Sequence, residues 1–161
     1  MLSFQELYET YAGDVYRFVF WLAGDRFEAE DISSETFIRA WAHKTTIRTE
    51  TLKAYLLAIA RNIYLERQRK GKRQVLLEDI YADPAPEPDQ HVAAQLQLQY
   101  VYRILQTVPE IDRAAFVLRV QHELPYAEIA RVLALSVTAV KVKVHRVRKK
   151  LIAACGEKEV G

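Results

Sequence analysis

Apolar side chains recur every three or four positions along most of this chain, and sustained strand-like alternation is hard to find. Phe4, Leu7, Tyr8, Tyr11, Val15, Phe18, Val19 and Leu22 make one broad stripe. Ser3, with Glu6 three residues later, fits a capping box at its start, and Gly24 ends it. A second helix over roughly 26–42 carries Ile32, Thr36, Phe37, Ala40 and Trp41 at spacings of three and four. HKTTIRTE (43–50) reads as a loop. From about Thr51 a third helix presents Leu52, Leu56, Ile59 and Ile63, with Gly71 near its end. Three helices of this kind can cover one another's apolar faces as a small bundle.

The clearest break follows. EDIYADPAPEPDQ (78–90) holds Pro84, Pro86, Pro88 and five acidic side chains without Lys or Arg. Alternating prolines deny a helix its hydrogen bonds and favour an extended course. The pattern predicts an all-α chain of two small domains: an N-terminal helical bundle (1–76), a flexible Pro/acidic linker (77–91) and a C-terminal helix-turn-helix domain (92–161). Helices are expected at about 92–107, 109–121, 126–133 and 137–153. Pro109 and Pro125 suit helix beginnings and Ser136 suits an N-cap. The short interval Ala134–Ser136 is the right length for the turn of a helix-turn-helix.

Composition narrows the function classes. The 161 residues are half apolar and 27% charged, enough for a packed core and too apolar for a disordered chain. One cysteine, Cys155, excludes an intramolecular disulfide and a Cys-cluster zinc site, and reads as a small helix-packing residue. No run approaches the ~18 continuous apolar residues of a membrane span. The acidic, amphipathic beginning is unlike a signal peptide, so a cytoplasmic protein without membrane insertion is expected. His43, His91, His122 and His145 are scattered and form no metal-ligand pattern; His122 and His145 are expected at the surface or against DNA. There is no glycine-rich phosphate loop. The sequence therefore predicts no catalytic residue, no metal site and no cofactor.

A net charge of +2 says little, but its distribution is uneven. Residues 1–31 hold seven acids against two arginines. Residues 61–73 reverse this, with six Lys or Arg against Glu66 alone, and KVKVHRVRKK (141–150) has six and no acid. One such run is most often a solvated helix face. Two, each on the last helix of its domain, point to a polyanion, because phosphates relieve the mutual repulsion of dense like charges. On the final helix Val137, Val140, Val144, Val147 and Leu151 form the packing stripe. Thr138, Val142, His145, Arg146 and Lys149 fall opposite, flanked by Lys141 and Arg148. Val142 would suit a thymine methyl, unless it is an isolated surface valine or the helix is buried more widely. In the first domain Tyr55, Tyr64, Asn62, Arg61, Arg67 and Arg69 mix rings, an amide and cations, a set that can hold single-stranded DNA; the tyrosines could equally be core. A regulator with a dimerising bundle and a protein-interaction module with acidic partners are the competing readings.

Three stretches carry a family resemblance. AEDISSETFIRAWAH (29–43), LKAYLLAIARNIYLERQRKGKR (52–73) and LPYAEIARVLALSVTAVKVKVHRVRKKL (124–151) resemble, in order and spacing, the polymerase-binding stretch, the promoter-melting helix and the −35-reading helix-turn-helix of extracytoplasmic-function (ECF) RNA polymerase sigma factors. The resemblance implies that Glu30, Asp31, Glu35, Phe37 and Trp41 dock on or near the β′ clamp helices of core RNA polymerase. It implies −10 contacts from Thr45, Thr46, Arg48, Arg61, Asn62, Arg67 and Arg69, with Asn62 and loop 44–50 around a flipped base. It implies −35 contacts from Ser136, Thr138, Lys141, Val142, His145, Arg146 and Lys149. The partners so implied are core polymerase (clamp helices and β flap), promoter DNA and an anti-sigma factor, including the membrane-bound kind. Ala134 stands where the family usually has glycine; alanine is tolerated there if the turn avoids a strongly left-handed backbone, and otherwise tightens or reshapes the junction. Glu66 replaces the usual Asp, and Val142 a polar residue.

Overall fold

The structure, a computed structural model, describes residues 3–43, 52–71 and 92–160. They form α-helices with no strand among them, and the chain divides into two compact units, Met1–Val92 and Ala93–Gly161. Loop residues 44–51 and the segment 72–91, which holds the expected linker, lie outside the described residues.

The first unit packs α1 (Phe4–Ala23), α2 (Arg26–Ala42) and α3 (Leu52–Gly71) against one another. The Ser3–Glu6 box forms, with the Glu6 amide donating to Ser3 Oγ at 3.1 Å and the Ser3 amide to Glu6 Oε2 at 2.9 Å. Gly24 closes α1 at φ 74°, a backbone that glycine adopts without a Cβ clash. Asp25 then caps α2 through the Phe27 amide. Phe18, Val19, Leu22, Ile32, Phe37, Leu56, Leu57 and Ile63 are the fully covered core. The stripes differ from expectation at their edges: Phe4 and Tyr8 are exposed at the start of α1, while Leu57 and Ala60, absent from the expected stripe, are buried in α3. Tyr64 is a core residue whose hydroxyl donates to the Leu22 carbonyl at 3.2 Å, whereas Tyr55 stays half-buried.

The second unit contains α4 (Val92–Gln106), α5 (Glu110–Val120), α6 (Tyr126–Leu133) and α7 (Val137–Val160). Its core is Leu105, Ala114, Ala115, Val117, Leu118, Ile129, Leu133, Val140, Val144 and Val147. Val137, expected on the packing stripe, is instead 38% exposed at the first turn of α7. His122, expected at the surface, is buried where the chain leaves α5. The helix of the basic run continues to Val160, beyond the expected end near 153.

The turn between α6 and α7 does not meet the condition under which alanine would sit there without strain. Ala134 takes φ 55° and ψ 46°, so the turn does not avoid the left-handed region. Its amide closes α6 onto the Ala130 and Arg131 carbonyls, and the Leu135 amide reaches Ala130 at 2.9 Å. A left-handed alanine costs about 1–2 kcal/mol that glycine avoids, partly offset by glycine's greater freedom when unfolded. Ala134→Gly should therefore stabilise the second unit by about 0.5–1 kcal/mol. Chemical denaturation read by circular dichroism checks this; an unchanged or lowered midpoint would contradict it.

Candidate nucleic-acid interface

The residues of α7 that fall opposite its buried valines are solvent-facing. Thr138, Lys141, Val142, His145, Arg146 and Lys149 are all exposed, at the spacings that place them on one side of the helix. Val142 retains 44% of its surface among these cations. The Ser136 hydroxyl accepts from the Ala139 amide at 3.1 Å and so starts α7. Tyr126, at the first turn of α6, lies between two cations: Arg119 Cζ is 4.1 Å from its ring centroid and Lys141 Nζ 5.5 Å. Such contacts steady long side chains that would otherwise sample many rotamers. Not every cation of the run faces outward. Lys143 turns to the interior side and meets buried Asp112 of α5 at 3.2 Å.

In the first unit the outward stripe of α3 is Asn62, Leu65, Glu66 and Arg69. With Gln68 these residues line an open recess of about 520 Å³. Arg61 stands half-buried one residue before Asn62. Thr45, Thr46 and Arg48 lie outside the described residues.

Arg67 points elsewhere. It follows Ile63 and Tyr64 at helical spacing, which turns it toward α2. One guanidinium nitrogen meets Asp31 Oδ2 at 2.6 Å and the other Glu35 Oε2 at 2.9 Å. Glu35 Oε1 also accepts from Arg39 at 2.7 Å, and Arg39 reaches Glu66 at 3.4 Å. Five charged groups thus form one chain between α2 and α3, joining two residues expected to dock polymerase to one expected to touch DNA. The hydrogen bond from Arg67, with the Arg39 bond and charge adding to it, holds the Glu35 carboxyl below its ordinary value despite the opposing effect of burial. A lowered carboxylate stabilises the fold above its unfolded pKa, and that stabilisation is lost as pH falls through the folded value. Acidification below the usual carboxylate range should lower the thermal midpoint of wild type more than that of Glu35→Gln. Parallel Tm–pH curves would contradict this.

The other expected docking residues divide by burial. Glu30 is exposed beside Asp31 on the outer face of α2. Trp41 is half-buried, edge-on to Phe4 at 5.7 Å. Phe37 is wholly buried, its ring 5.1 Å from Tyr8, so in this structure it packs the bundle and presents no surface. Among the described residues no group of three or more His, Cys, Asp or Glu could hold a metal ion. None of the described helices is long and apolar enough to cross a membrane.

Comparison with known proteins assigns the family. The Sigma-70 region 2 family matches residues 7–74, and the Sigma-70, region 4 family matches residues 98–151. The chain is 30% identical to the ECF RNA polymerase sigma factor SigM of Bacillus subtilis over 154 residues, 94% of each protein. This chain belongs to the ECF RNA polymerase sigma factors. It is also 32% identical to SigE of Mycolicibacterium smegmatis, over 94% of this chain but only 61% of that longer relative. Among solved structures it is similar to the sigma factor RpoE of Bartonella quintana, crystallised in complex with the anti-sigma factor NepR. That likeness has TM-score 0.77 and 25% identity, over 93% of this chain and 94% of that one. As an ECF sigma factor the chain's general role is to bind core polymerase and recognise promoters. On this sigma factor α2 and α3 lie within the region 2 match, and α5, α6 and most of α7 within the region 4 match.

Two features of the site are absent from the sequence reading. The Arg39 bridge had a local signal, since Glu35 and Arg39 are an i,i+4 pair, the favourable order on a helix. The Arg119–Tyr126–Lys141 stack had none, because its members come from three helices.

Proposed function

We propose that this sigma factor reads the −35 element through the outer face of α7 and opens the −10 element with the outer stripe of α3. The observation that carries the reading is the row Thr138, Lys141, Val142, His145, Arg146 and Lys149. Every member is exposed, on the second helix of a helix-turn-helix whose opposite face is core. Lys141, Arg146 and Lys149 supply phosphate or base-edge contacts, Thr138, His145 and Ser136 polar ones, and Val142 an apolar patch for a thymine methyl. In the first unit Asn62 and Arg69 line the recess on α3, and Arg61 adds charge beside it. Loop residues Thr45, Thr46 and Arg48 complete the capture of an unstacked base. Trapping such bases offsets the few kcal/mol of unstacking and unpairing.

Docking on the β′ clamp helices falls to the outer face of α2, with Glu30 and Asp31 as the charged contacts and Trp41 at the edge. Glu35 and Phe37 serve it from within. The second unit meets the β flap, and residues 77–91 tether the two through the polymerase channel. Tethering raises the local concentration of each weak DNA contact once the other is made. The likeness to RpoE, solved in complex with NepR, supports an anti-sigma factor as a further partner. A membrane-bound form of that partner would bring its own span. The sigma factor itself is placed in the cytoplasm with polymerase.

Run-off transcription with purified core enzyme tests the reading. Added chain should start RNA at defined promoters carrying both elements, and changing either element should abolish the product. Symmetric duplex binding without core, and no new start sites with it, would favour a polymerase-independent helix-turn-helix regulator instead.

A further inference from the structure

We propose that Arg67 couples the two binding faces of the first unit, exchanging Asp31 for a nucleic-acid phosphate when Asp31 engages a basic side chain of polymerase. This rests on the sigma-factor reading above. Arg67 was expected among the DNA contacts, yet both its terminal nitrogens are committed to carboxylates of α2. The commitment is reversible. Asp31 keeps 68% of its side chain exposed and Arg67 keeps 34%. Ion pairs this accessible are individually weak, so a competing cation or anion can replace one partner without unfolding the helices. Glu35 is different. It is held from both sides by Arg67 and Arg39, which makes it the fixed centre of the chain of charges and Asp31 an exchangeable end.

The placement of Arg67 makes the exchange consequential. Its neighbours Glu66 and Gln68 both line the recess of α3, and Glu66 is itself tied through Arg39 to Glu35. The five groups carry three negative and two positive charges, so within this group of charges the carboxylate excess lies on the docking side. A basic side chain arriving at Asp31 completes the neutralisation there and leaves one Arg67 nitrogen with no carboxylate. A phosphate at the margin of the recess offers that nitrogen a charge-assisted hydrogen bond. By linkage the effect is reciprocal: DNA that takes Arg67 frees Asp31 for polymerase. The structure thus assigns Arg67 a positioning role in the unbound chain and a contact role once both partners are present.

The test uses the full-length chain, fluorescence anisotropy of labelled oligo(dT) at low salt, and four variants whose thermal midpoints are measured alongside. Asp31→Asn should bind oligo(dT) about threefold tighter than wild type, as one freed guanidinium contact predicts. Glu30→Gln removes the same charge one residue away and should change affinity much less. Asp31→Asn combined with Arg67→Gln should fall to the level of Arg67→Gln alone. In a parallel titration with core polymerase and no DNA, Arg67→Gln should dock at least as tightly as wild type, because a competitor for Asp31 is gone; a simple brace would lose affinity. The proposal is overturned if Asp31→Asn matches Glu30→Gln, if its gain survives removal of Arg67, or if Arg67→Gln weakens docking. Wild-type run-off activity separates this from the parent reading. A chain that initiates normally while these variants fail sinks the coupling alone, whereas a chain that never redirects polymerase sinks the sigma assignment.

Discussion

Phe37→Ala should destabilise the first unit by about 3–5 kcal/mol, the range for truncating a buried phenylalanine whose cavity cannot fully collapse. Phe37 has no exposed surface and packs edge-on against Tyr8, between α1 and α2. Polymerase binding should fall with it, in step with the unfolded fraction and no further. Trp41→Ala makes the opposite pattern: a half-buried ring near the surface should cost less stability and proportionally more docking. Urea titration of each variant beside its affinity for core separates the two. If Phe37→Ala stays folded and loses docking, the ring must turn outward in the complex, and its place in the core describes only the free chain.

The second large effect belongs to α7. Removing Lys141, Arg146 and Lys149 together, each to alanine, should reduce the salt dependence of promoter binding by about 0.9 per lost phosphate contact, two to three in all. At moderate salt the affinity should drop about 100-fold, while the thermal midpoint stays near wild type because all three side chains are exposed. Lys143→Ala is the informative contrast. It removes the same charge from the same run, but strands the buried Asp112 carboxylate, so it should lower stability and leave the salt slope close to wild type. Holoenzyme binding to a duplex −35 fragment across a salt series gives both numbers. An unchanged slope in the triple variant would place the DNA on some other surface.

Much of this was readable from residues alone, for physical reasons that differ by element. Helical periodicity marked the buried faces of α1 and α7 because those faces are long and regular. Capping chemistry marked Ser3 and Ser136 because one hydroxyl satisfies one amide. Local patterns could not say where a cation finds its partner. Lys143 and Arg67 sit in dense basic runs, yet one turns to Asp112, 31 residues away, and the other to Asp31, 36 away. Such pairings are decided by which helices pack together. Arg67 did carry a hint, since it continues the Ile63–Tyr64 stripe. Ala134 shows the converse: the missing glycine left the backbone of the turn open, and the residue takes the left-handed conformation that closes α6.

The pair between Asp112 and Lys143 also fixes the angular phase of α7. A helix held only by valines can roll a little in its groove, since methyl groups fit at several azimuths. A carboxylate buried in α5 accepts its ammonium from one side of the helix only, and a one-residue slip would swing every outward side chain by about 100°. On the proposed reading, the register of this helix in a groove of DNA is therefore set from behind, by a carboxylate on α5.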